Sequence, residues 1–273
     1  MFKYFLILQL LRVVHGNPID ELPITFEIAK QLESPWLALI KISGLTCGGS
    51  LINRQYIVTA AHCFDEINPE NLEDENKLKE LVQIKLGEWK TDMDPDCEEN
   101  ADDQSCDPVV MIRPKMIVRH DNYKPSRIKE MYKDDIAIIK LAWPPRTTRL
   151  ISSIRLPSPD ECDDLVKDQL WTVTGFGQTS AKVMTTIKKK IQMKMISHEE
   201  CEDSMVDTEQ FYHEDTHVCG KGTRGESTCI GDSGSAATRN ISGRPTLQGI
   251  VSFGVSECDT RCFFWILESC MLC

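Results

Sequence analysis

The chain has 273 residues, a formal net charge of −11 and 12 cysteines. Its length fits one domain of roughly 200–250 residues or two smaller ones, and a hydrophobic content of 41% is enough to form a buried core. The acidic balance argues against nucleic acid as a partner, because phosphate backbones bind basic surfaces. The many cysteines indicate disulfides and an oxidising compartment.

The first 16 residues have the features of a secretory signal. A short basic start at residues 1–3 is followed by an apolar run from Tyr4 to Leu11 and by tolerated residues before a cut after Gly16. The run is well short of the roughly 20 residues that a membrane span needs, and no later segment reaches that length. We therefore expect a secreted, extracellular protein without a membrane anchor, with a signal peptide at residues 1–16 and a short N-terminal segment at residues 17–23.

Short apolar segments then recur along the chain, separated by polar turns. Many of them alternate or are rich in β-branched residues, which is typical of short strands. They occupy residues 36–42, 56–58, 81–86, 111–118, 136–141, 171–174, 191–195 and 247–253. Their spacing predicts an all-β sandwich or barrel. Many acidic residues lie between Cys97 and Cys106, and this stretch is predicted to be a solvated surface loop closed by a local disulfide.

Three widely separated segments supply the parts of a nucleophilic hydrolase. His62 lies in Val58–Cys63, Asp135 lies in Lys133–Ile138, and Ser233 lies in Cys229–Gly234. A serine hydroxyl needs a histidine to accept its proton and a buried carboxylate to hold that imidazole in one tautomer. Glycines beside the serine let the backbone turn sharply and approach the oxyanion that develops on the attacked carbonyl. The three segments in this order predict hydrolysis through a covalent intermediate on Ser233.

A second motif, His213–His217, matches the HExxH signature of zinc peptidases. That signature requires a helix so that both imidazoles share one face, whereas this stretch is polar and precedes Cys219 without apolar periodicity. It is predicted to be a loop that precedes a strand. The acidic residues between Asp65 and Glu88 could serve as calcium ligands, and a solvated charge run is the preferred interpretation. We expect no metal and no cofactor.

On these motifs the chain resembles chymotrypsin-fold serine proteases, and in particular the protease domain of arthropod clip-domain serine proteases. The resemblance runs from about residue 35 to residue 258 and rests on Pro35–Trp36, Cys47–Ile52, Tyr56–Cys63, Lys85–Trp89, Asp94–Cys97 with Cys106, Val173–Gly177, Gly231–Gly234 and Ser252–Gly254. It implies an all-β fold of two six-stranded antiparallel β-barrels, and a protease domain at residues 24–258.

The resemblance also implies roles for individual residues. His62 would be the general base, Ser233 the nucleophile and Asp135 the carboxylate that orients His62. Asp134 is the competing candidate, and Asp135 is preferred because the family places its acid directly before Ile-Ala. The backbone N–H groups of Gly231 and Ser233 would form the oxyanion hole.

The same resemblance implies roles for three more residues and a set of disulfides. Asp232 would receive the new N-terminal ammonium after activation, while Ser252 and Gly254 would pair with the substrate backbone. The expected disulfides are Cys47–Cys63, Cys97–Cys106, Cys201–Cys219 and Cys229–Cys258. The remaining cysteines have no family partner, namely Cys162, Cys262, Cys270 and Cys273. Asn240 begins an Asn-Ile-Ser tripeptide that is a candidate for N-glycosylation.

The expected substrate pocket departs from the trypsin-like pattern. Six residues before the nucleophile, where trypsin-like members carry Asp, this chain has Ser227, followed by Thr228. Without a buried carboxylate the pocket lacks a partner for Arg or Lys, so we expect a preference for apolar or aromatic side chains. The alternative is that Glu226 turns into the pocket.

The two ends of the protease body also depart from the pattern. No Arg or Lys directly precedes Ile24, the nearest candidate for an activated N-terminus, and no Gly-Gly follows it. After Cys258 the family's closing strand and helix are replaced by an atypical tail at residues 259–273, so the second barrel is expected to be truncated. Two hypotheses remain for the tail: residues 263–267 pair as a replacement strand, or the tail is a splice or gene-model artefact.

These observations predict a secreted serine endopeptidase that acts through an acyl-enzyme, in an extracellular cascade of the immune or clotting type. The resemblance implies protein substrates, serpin-type inhibitors and a monomer. The alternative is a catalytically silent homologue that acts as a binding or regulatory module, which the atypical activation segment and tail favour.

Overall fold

The computed structural model describes residues 26–96, 108–125, 132–162, 167–179, 183–204, 213, 216–224, 228–254 and 263–266. These residues form two seven-stranded antiparallel sheets and a few short helices. Within these ranges, no helix has the length and apolar character needed to cross a membrane.

The first sheet is built from the N-terminal half of the chain. Its order is β6-β5-β2-β3-β4-β8-β7. The strands are β2 (Leu37–Ile42), β3 (Leu45–Leu51), β4 (Tyr56–Thr59), β5 (Val82–Leu86), β6 (Val110–Ile112), β7 (Pro114–Arg119) and β8 (Ala137–Leu141). Side chains alternate between inside and outside along β5 and β8, as expected for strands with one face on a core. The core includes the fully buried side chains of Ile40, Ile57, Ile84, Leu86 and Ile139.

A bend at Arg113 closes this sheet into a barrel. The two outer strands, β6 and β7, are consecutive in sequence and pair with β5 and β8 respectively. The ladder with β8 shifts register between Pro114 and Met116, where proline offers no N–H to the partner strand. Because β6 and β7 form one bent segment, the seven strands correspond to the six strands of the barrel that the resemblance implies.

The second sheet is built from the C-terminal half together with the first strand. Its order is β1-β10-β11-β14-β13-β12-β9, and β9 also pairs with β10. The strands are β1 (Glu27–Ile28), β9 (Leu170–Gly175), β10 (Lys189–Met195), β11 (His217–Gly222), β12 (Ala236–Ile241), β13 (Arg244–Gly254) and β14 (Phe263–Ile266). The β9–β10 pairing closes six of these strands into a barrel, and β1 adds a seventh outside it. Trp171, Val173, Ile191 and Met193 fill its core.

Strand β14 lies within the tail and bears on the first of the two hypotheses for it. It pairs with β11 on one side and with β13 on the other, so the tail contributes a strand to the barrel. The expectation of a double β-barrel is confirmed, and the truncated end is completed by a replacement strand one residue shorter than predicted.

The helices are short and lie on the outside of the barrels. Two 3₁₀ turns cover Ala61–Phe64 and Pro69–Leu72, and the α-helices are α1 (Glu75–Leu81), α2 (Pro159–Cys162) and α3 (His198–Asp203). Asp74 caps α1 by accepting from the backbone N–H of Asn76 and of Lys77. Ser197 caps α3 by accepting from Glu200 N. Such caps satisfy N–H groups that the first helical turn leaves without partners.

Glycines let the two barrels approach each other closely. A Cβ added to Gly48 of β3 would collide with Ser235, and one added to Gly234 would collide with Thr59 and with the backbone of Gly48. Gly48 N donates to Ser233 O at 2.7 Å. The junction between the barrels therefore brings the Gly231–Gly234 segment against the strands that lead to His62.

Candidate active site

His62 lies on the 3₁₀ turn that follows β4. Its neighbours Ala61, Cys63 and Phe64 are buried in the first barrel, and a disulfide joins Cys63 to Cys47 on β3. The turn is therefore anchored on both sides of the imidazole.

Asp135 lies two residues before β8, which pairs with β4 through Thr59 and Ala137. This register brings Asp135 beside His62. Asp135 Oδ1 accepts from His62 N at 2.8 Å, and Asp135 Oδ2 lies 2.7 Å from His62 Nδ1. The Asp135 side chain is completely buried, while 19% of the His62 side chain is exposed.

The neighbouring Asp134 does not share these contacts. Its backbone has φ of 54°, and its Oδ2 is buried and has no partner among the described residues. Of the two candidate acids, the structure places Asp135 against His62.

Ser252 of β13 donates its hydroxyl to Asp135 Oδ2 in a short hydrogen bond. The sequence indicated a role for Ser252 in binding substrate backbone and missed this contact. Because β13 belongs to the second barrel, Asp135 is held by both barrels. No local signal in the sequence marks this pair, since the two residues are 117 positions apart.

The electrostatic environment of His62 favours its protonated form. Burial by itself lowers the pKa of His62, but the charge of Asp135, its hydrogen bond and the more distant charge of Asp65 outweigh burial and raise that pKa above 6.5. The ring edge of His62 also contacts Tyr132, which stacks on Phe253 at 4.8 Å between ring centroids. These aromatic rings therefore pack beside the imidazole.

Ser233 lies in the loop that precedes β12 of the second barrel. Its carbonyl accepts from Gly48 N, and Cys63 Sγ lies 4.0 Å from the same oxygen. Among the described contacts, no hydrogen bond joins Ser233 Oγ to His62 Nε2, and such bonds often tighten only when substrate binds.

The backbone of this loop is shaped by two left-handed glycines, Gly231 at φ of 95° and Gly234 at φ of 82°. Asp232 N donates to Cys229 O, and Gly234 N donates to Val251 O. Within the described part of the chain, the N–H groups of Gly231 and Ser233 have no protein acceptor. An oxyanion hole requires two such available donors.

Asp232 is buried below the loop and has three donors. Its Oδ1 accepts from Gly177 N at 2.8 Å, and its Oδ2 accepts from Cys229 N at 2.9 Å. The Lys189 ammonium lies 2.7 Å from Oδ2. The expected partner, a new N-terminus at Ile24, lies outside the described residues.

Sequence reasoning missed Lys189 as the partner of Asp232. A signal was present, because Lys189 and Lys190 begin β10 and alternation along a strand turns one of two consecutive side chains inward. Lys188 is also buried, and its ammonium donates to the carbonyls of Gln31 and Glu33. Burial lowers the pKa of Lys188 to about 8.

The other predicted residues are only partly described. Thr228 is buried, Gly254 ends β13, and Asn240 is exposed near the end of β12. The Cys201–Cys219 disulfide is present, and Cys229 is disulfide-bonded. The predictions that fall outside the described residues concern Ser227, Glu226, Cys97, Cys106, Cys258, Cys262, Cys270, Cys273 and the side chain of Cys162.

Two groups of side chains carry atoms of the type that binds metals. Cys47, His62 and Cys63 are the one cluster of ligand-type atoms in the described ranges, but their sulfurs are bonded to each other and are not available as thiolates. In the HExxH segment, His217 is the first residue of β11 and its Nδ1 accepts from His213 N. A strand at His217 does not provide the single helical face that a zinc peptidase needs.

Comparison with known proteins identifies the family. A family model described as Trypsin matches residues 24–265. The CLIP domain-containing serine protease HP8 of Bombyx mori is 30% identical over 84% of this chain, and Serine protease ea of Drosophila melanogaster is 30% identical over 83%. Phenoloxidase-activating factor 1 of Holotrichia diomphalia is 32% identical over 84%.

These alignments cover 61%, 59% and 61% of the three relatives' own lengths. The chain therefore matches somewhat less than two thirds of each relative. Since the family match spans nearly the whole of both barrels, the chain belongs to the trypsin family and resembles insect clip-domain serine proteases.

Proposed function

We propose that the chain is a serine endopeptidase in which His62, Asp135 and Ser233 form the catalytic triad. The observation that carries this proposal is the contact of both Asp135 oxygens with His62, one with its backbone N–H and one with its ring. A buried carboxylate in this position keeps the ring proton on Nδ1 and leaves Nε2 available as a base.

The chemistry then follows the acyl-enzyme route. The Ser233 hydroxyl loses its proton to His62 Nε2 while its oxygen bonds to the peptide carbonyl carbon. The N–H groups of Gly231 and Ser233 stabilise the resulting oxyanion. The C–N bond breaks as His62 returns the proton to the leaving amine, and water repeats the sequence to release the acid and regenerate Ser233.

The substrate is proposed to bind along β13. Ser252 and Gly254 would pair with its backbone, and Ser227 and Thr228 would line the pocket for the side chain before the cleaved bond. Ser252 is buried at 4% exposure and its hydroxyl is bonded to Asp135, so its backbone is the part available to substrate. Without an acidic floor at Ser227, an apolar or aromatic side chain is preferred over Arg or Lys.

That preference is tested with p-nitroanilide substrates that differ only in the residue before the cleaved bond. We expect a higher kcat/KM for Phe than for Arg. A strong preference for Arg would contradict the assignment of the pocket and would favour Glu226 as its acid.

The setting is proposed to be an extracellular proteolytic cascade with protein substrates. The names of the relatives support this, since one is a phenoloxidase-activating factor. We propose that the chain is secreted after removal of residues 1–16, acts as a monomer and is inhibited by serpin-type proteins.

A fluorophosphonate probe tests the proposal directly, because it reacts with an activated serine. The wild-type chain is expected to be labelled on Ser233, and Ser233→Ala is expected to abolish labelling. Ser152→Ala is the matched control, since it makes the same change at another half-buried serine. Absence of labelling in folded protein, both intact and after limited proteolysis, would favour the catalytically silent homologue.

A further inference from the structure

The Lys189–Asp232 ion pair is more deeply buried than any other ion pair in the described ranges. The Lys189 and Asp232 side chains are 1% and 0% exposed, and the two charges are 2.7 Å apart. The Lys189 ammonium also donates to Gln178 O at 2.9 Å. Burying two charges is costly unless their geometry and remaining hydrogen bonds compensate, and here both ions have additional partners.

This pair lies directly under the proposed nucleophile. Asp232 precedes Ser233, and its carboxylate is bonded to Gly177 and Cys229 as well as to Lys189. Two backbone N–H groups and the Lys189 ammonium therefore fix the position of this carboxylate. Its backbone, which lies between the Gly231 and Ser233 N–H groups, is positioned with it.

The space around the Asp232 carboxylate is enclosed by glycines. A Cβ on Gly177 would lie 2.5 Å from the Asp232 carboxylate carbon, and one on Gly175 would collide with Oδ1. Gly175 is the register partner of Lys189 between β9 and β10. The second barrel therefore forms a closed site around one carboxylate and one ammonium.

A second ammonium in this site would be strongly disfavoured. Lys189 already neutralises Asp232, so a chain N-terminus entering the same buried space would give the site a net positive charge in a buried environment. Lys189 and a released N-terminus therefore compete for the same carboxylate.

We propose that Lys189 is a positioning residue that supplies, from within the chain, the ammonium that holds Asp232 and organises the Ser233 loop without prior cleavage of the chain. This inference rests on the proposed endopeptidase function and concerns how that activity is regulated. The site would be competent in the intact chain, so its control would come from inhibitors or access to substrate and not from release of a new N-terminus.

The test uses the full chain, verified as uncleaved by intact mass, and measures the rate of fluorophosphonate labelling at Ser233. We expect the intact wild type to be labelled and Lys189→Met to be labelled at least about 100-fold more slowly, the size of effect seen when an oxyanion-hole donor is lost. Lys189→Arg, which keeps the charge, should retain labelling within about tenfold. Lys190→Met is the matched control, since that neighbouring lysine pairs with Glu27 and Glu33 on a more exposed face, and it should label like the wild type.

Two further variants separate positioning from folding. Lys189→Ala removes a propyl-ammonium group, so added propylammonium should restore labelling in a saturable way while propanol, its neutral analogue, should not. If Lys189→Met does not fold, the neutral pair Lys189→Met with Asp232→Asn removes the isolated buried charge and should fold but label slowly.

The outcomes are distinguishable. Labelling of the wild type only after cleavage, or equal or faster labelling of the folded Lys189→Met or double variant, would overturn the role of Lys189 and leave the proposed endopeptidase intact. No labelling of the wild type in either form would overturn both.

Discussion

Asp135 is bonded by donors from both barrels. His62 contributes its backbone and ring from the first barrel, and Ser252 contributes its hydroxyl from the second. The adjacent Asp134 is equally well buried, yet its side chain does not meet His62. The two carboxylates therefore differ in where their side chains point, and both are buried.

Asp135→Asn is predicted to lower kcat by about four orders of magnitude with little change in fold, because an amide stabilises the wrong tautomer of His62. Steady-state kinetics with far-UV circular dichroism checks this. Asp134→Asn is the matched control, since Asn tolerates the positive φ at that position, and its kcat should change little. Equal losses in both variants would contradict the assignment of the acid.

The pH dependence of activity follows from the raised pKa of His62. The proposed base must be neutral, so kcat/KM should fall as pH decreases through an apparent pKa above 6.5. Asp65 contributes to the shift through its negative charge, so Asp65→Asn should move this acid limb to lower pH. A pH–rate profile of both proteins measures it, and a limb at or below 6.5 in the wild type would contradict the electrostatic description.

At the scale of elements, the start of β10 shows how three consecutive lysines are accommodated, with Lys188 directly before the strand and Lys189 and Lys190 as its first two residues. Lys188 turns toward the carbonyls of Gln31 and Glu33, Lys189 turns toward Asp232, and Lys190 bonds to Glu33 and Glu27. Strand alternation separates Lys189 from Lys190, whereas Lys188 and Lys189 are both buried and differ in their acceptors. Each of the three lysines consequently has its own acceptors.

Strand β14 is expected to contribute to the stability of the second barrel. A chain that ends at residue 260 loses the partner of both β11 and β13, which leaves two unpaired strand edges. We predict a lower unfolding temperature and aggregation, measured by thermal unfolding and light scattering. A chain that ends at residue 267 keeps β14 and should melt close to the wild type, and identical melting of the two truncations would contradict a role for β14.

At the scale of the whole molecule, the site exists only where the two barrels meet. His62 and Asp135 come from the first barrel, while Ser233 and Ser252 come from the second. The contact between Gly48 and the Ser233 loop sets the distance between these halves. Small changes at this junction should therefore affect activity as well as stability.

Gly234→Ala is predicted to lower the free energy of unfolding by about 2 kcal/mol or more and to abolish labelling of Ser233. The new Cβ would meet Thr59, Gly48 and Ala60 N, the last at 2.9 Å, and the residue has φ of 82°. Gly243→Ala is the matched control, because its φ is 80° but nothing lies within 4 Å of the added Cβ. Denaturant unfolding with probe labelling checks the pair, and equal effects would show that backbone strain alone is responsible.

The fold and the three proposed catalytic residues were predictable because their signals are local. Alternating apolar residues specify strands, as in Val82–Leu86, and the short motifs around His62 and Ser233 carry the chemistry within a few positions. The role of Ser252, the seven-stranded pairing orders and the place of β14 were not predictable in the same way. Each depends on which distant strands become neighbours.

The sequence by itself therefore determined that this chain is built from short β-strands and carries a histidine, an aspartate and a serine in the order of a nucleophilic hydrolase. Only the tertiary structure decided that Ser252 of the second barrel bonds to Asp135, and that Asp232 is paired with Lys189. The physical reason is that residue type sets what a side chain can bond to, whereas strand pairing and barrel closure set which partner lies within 3 Å of it.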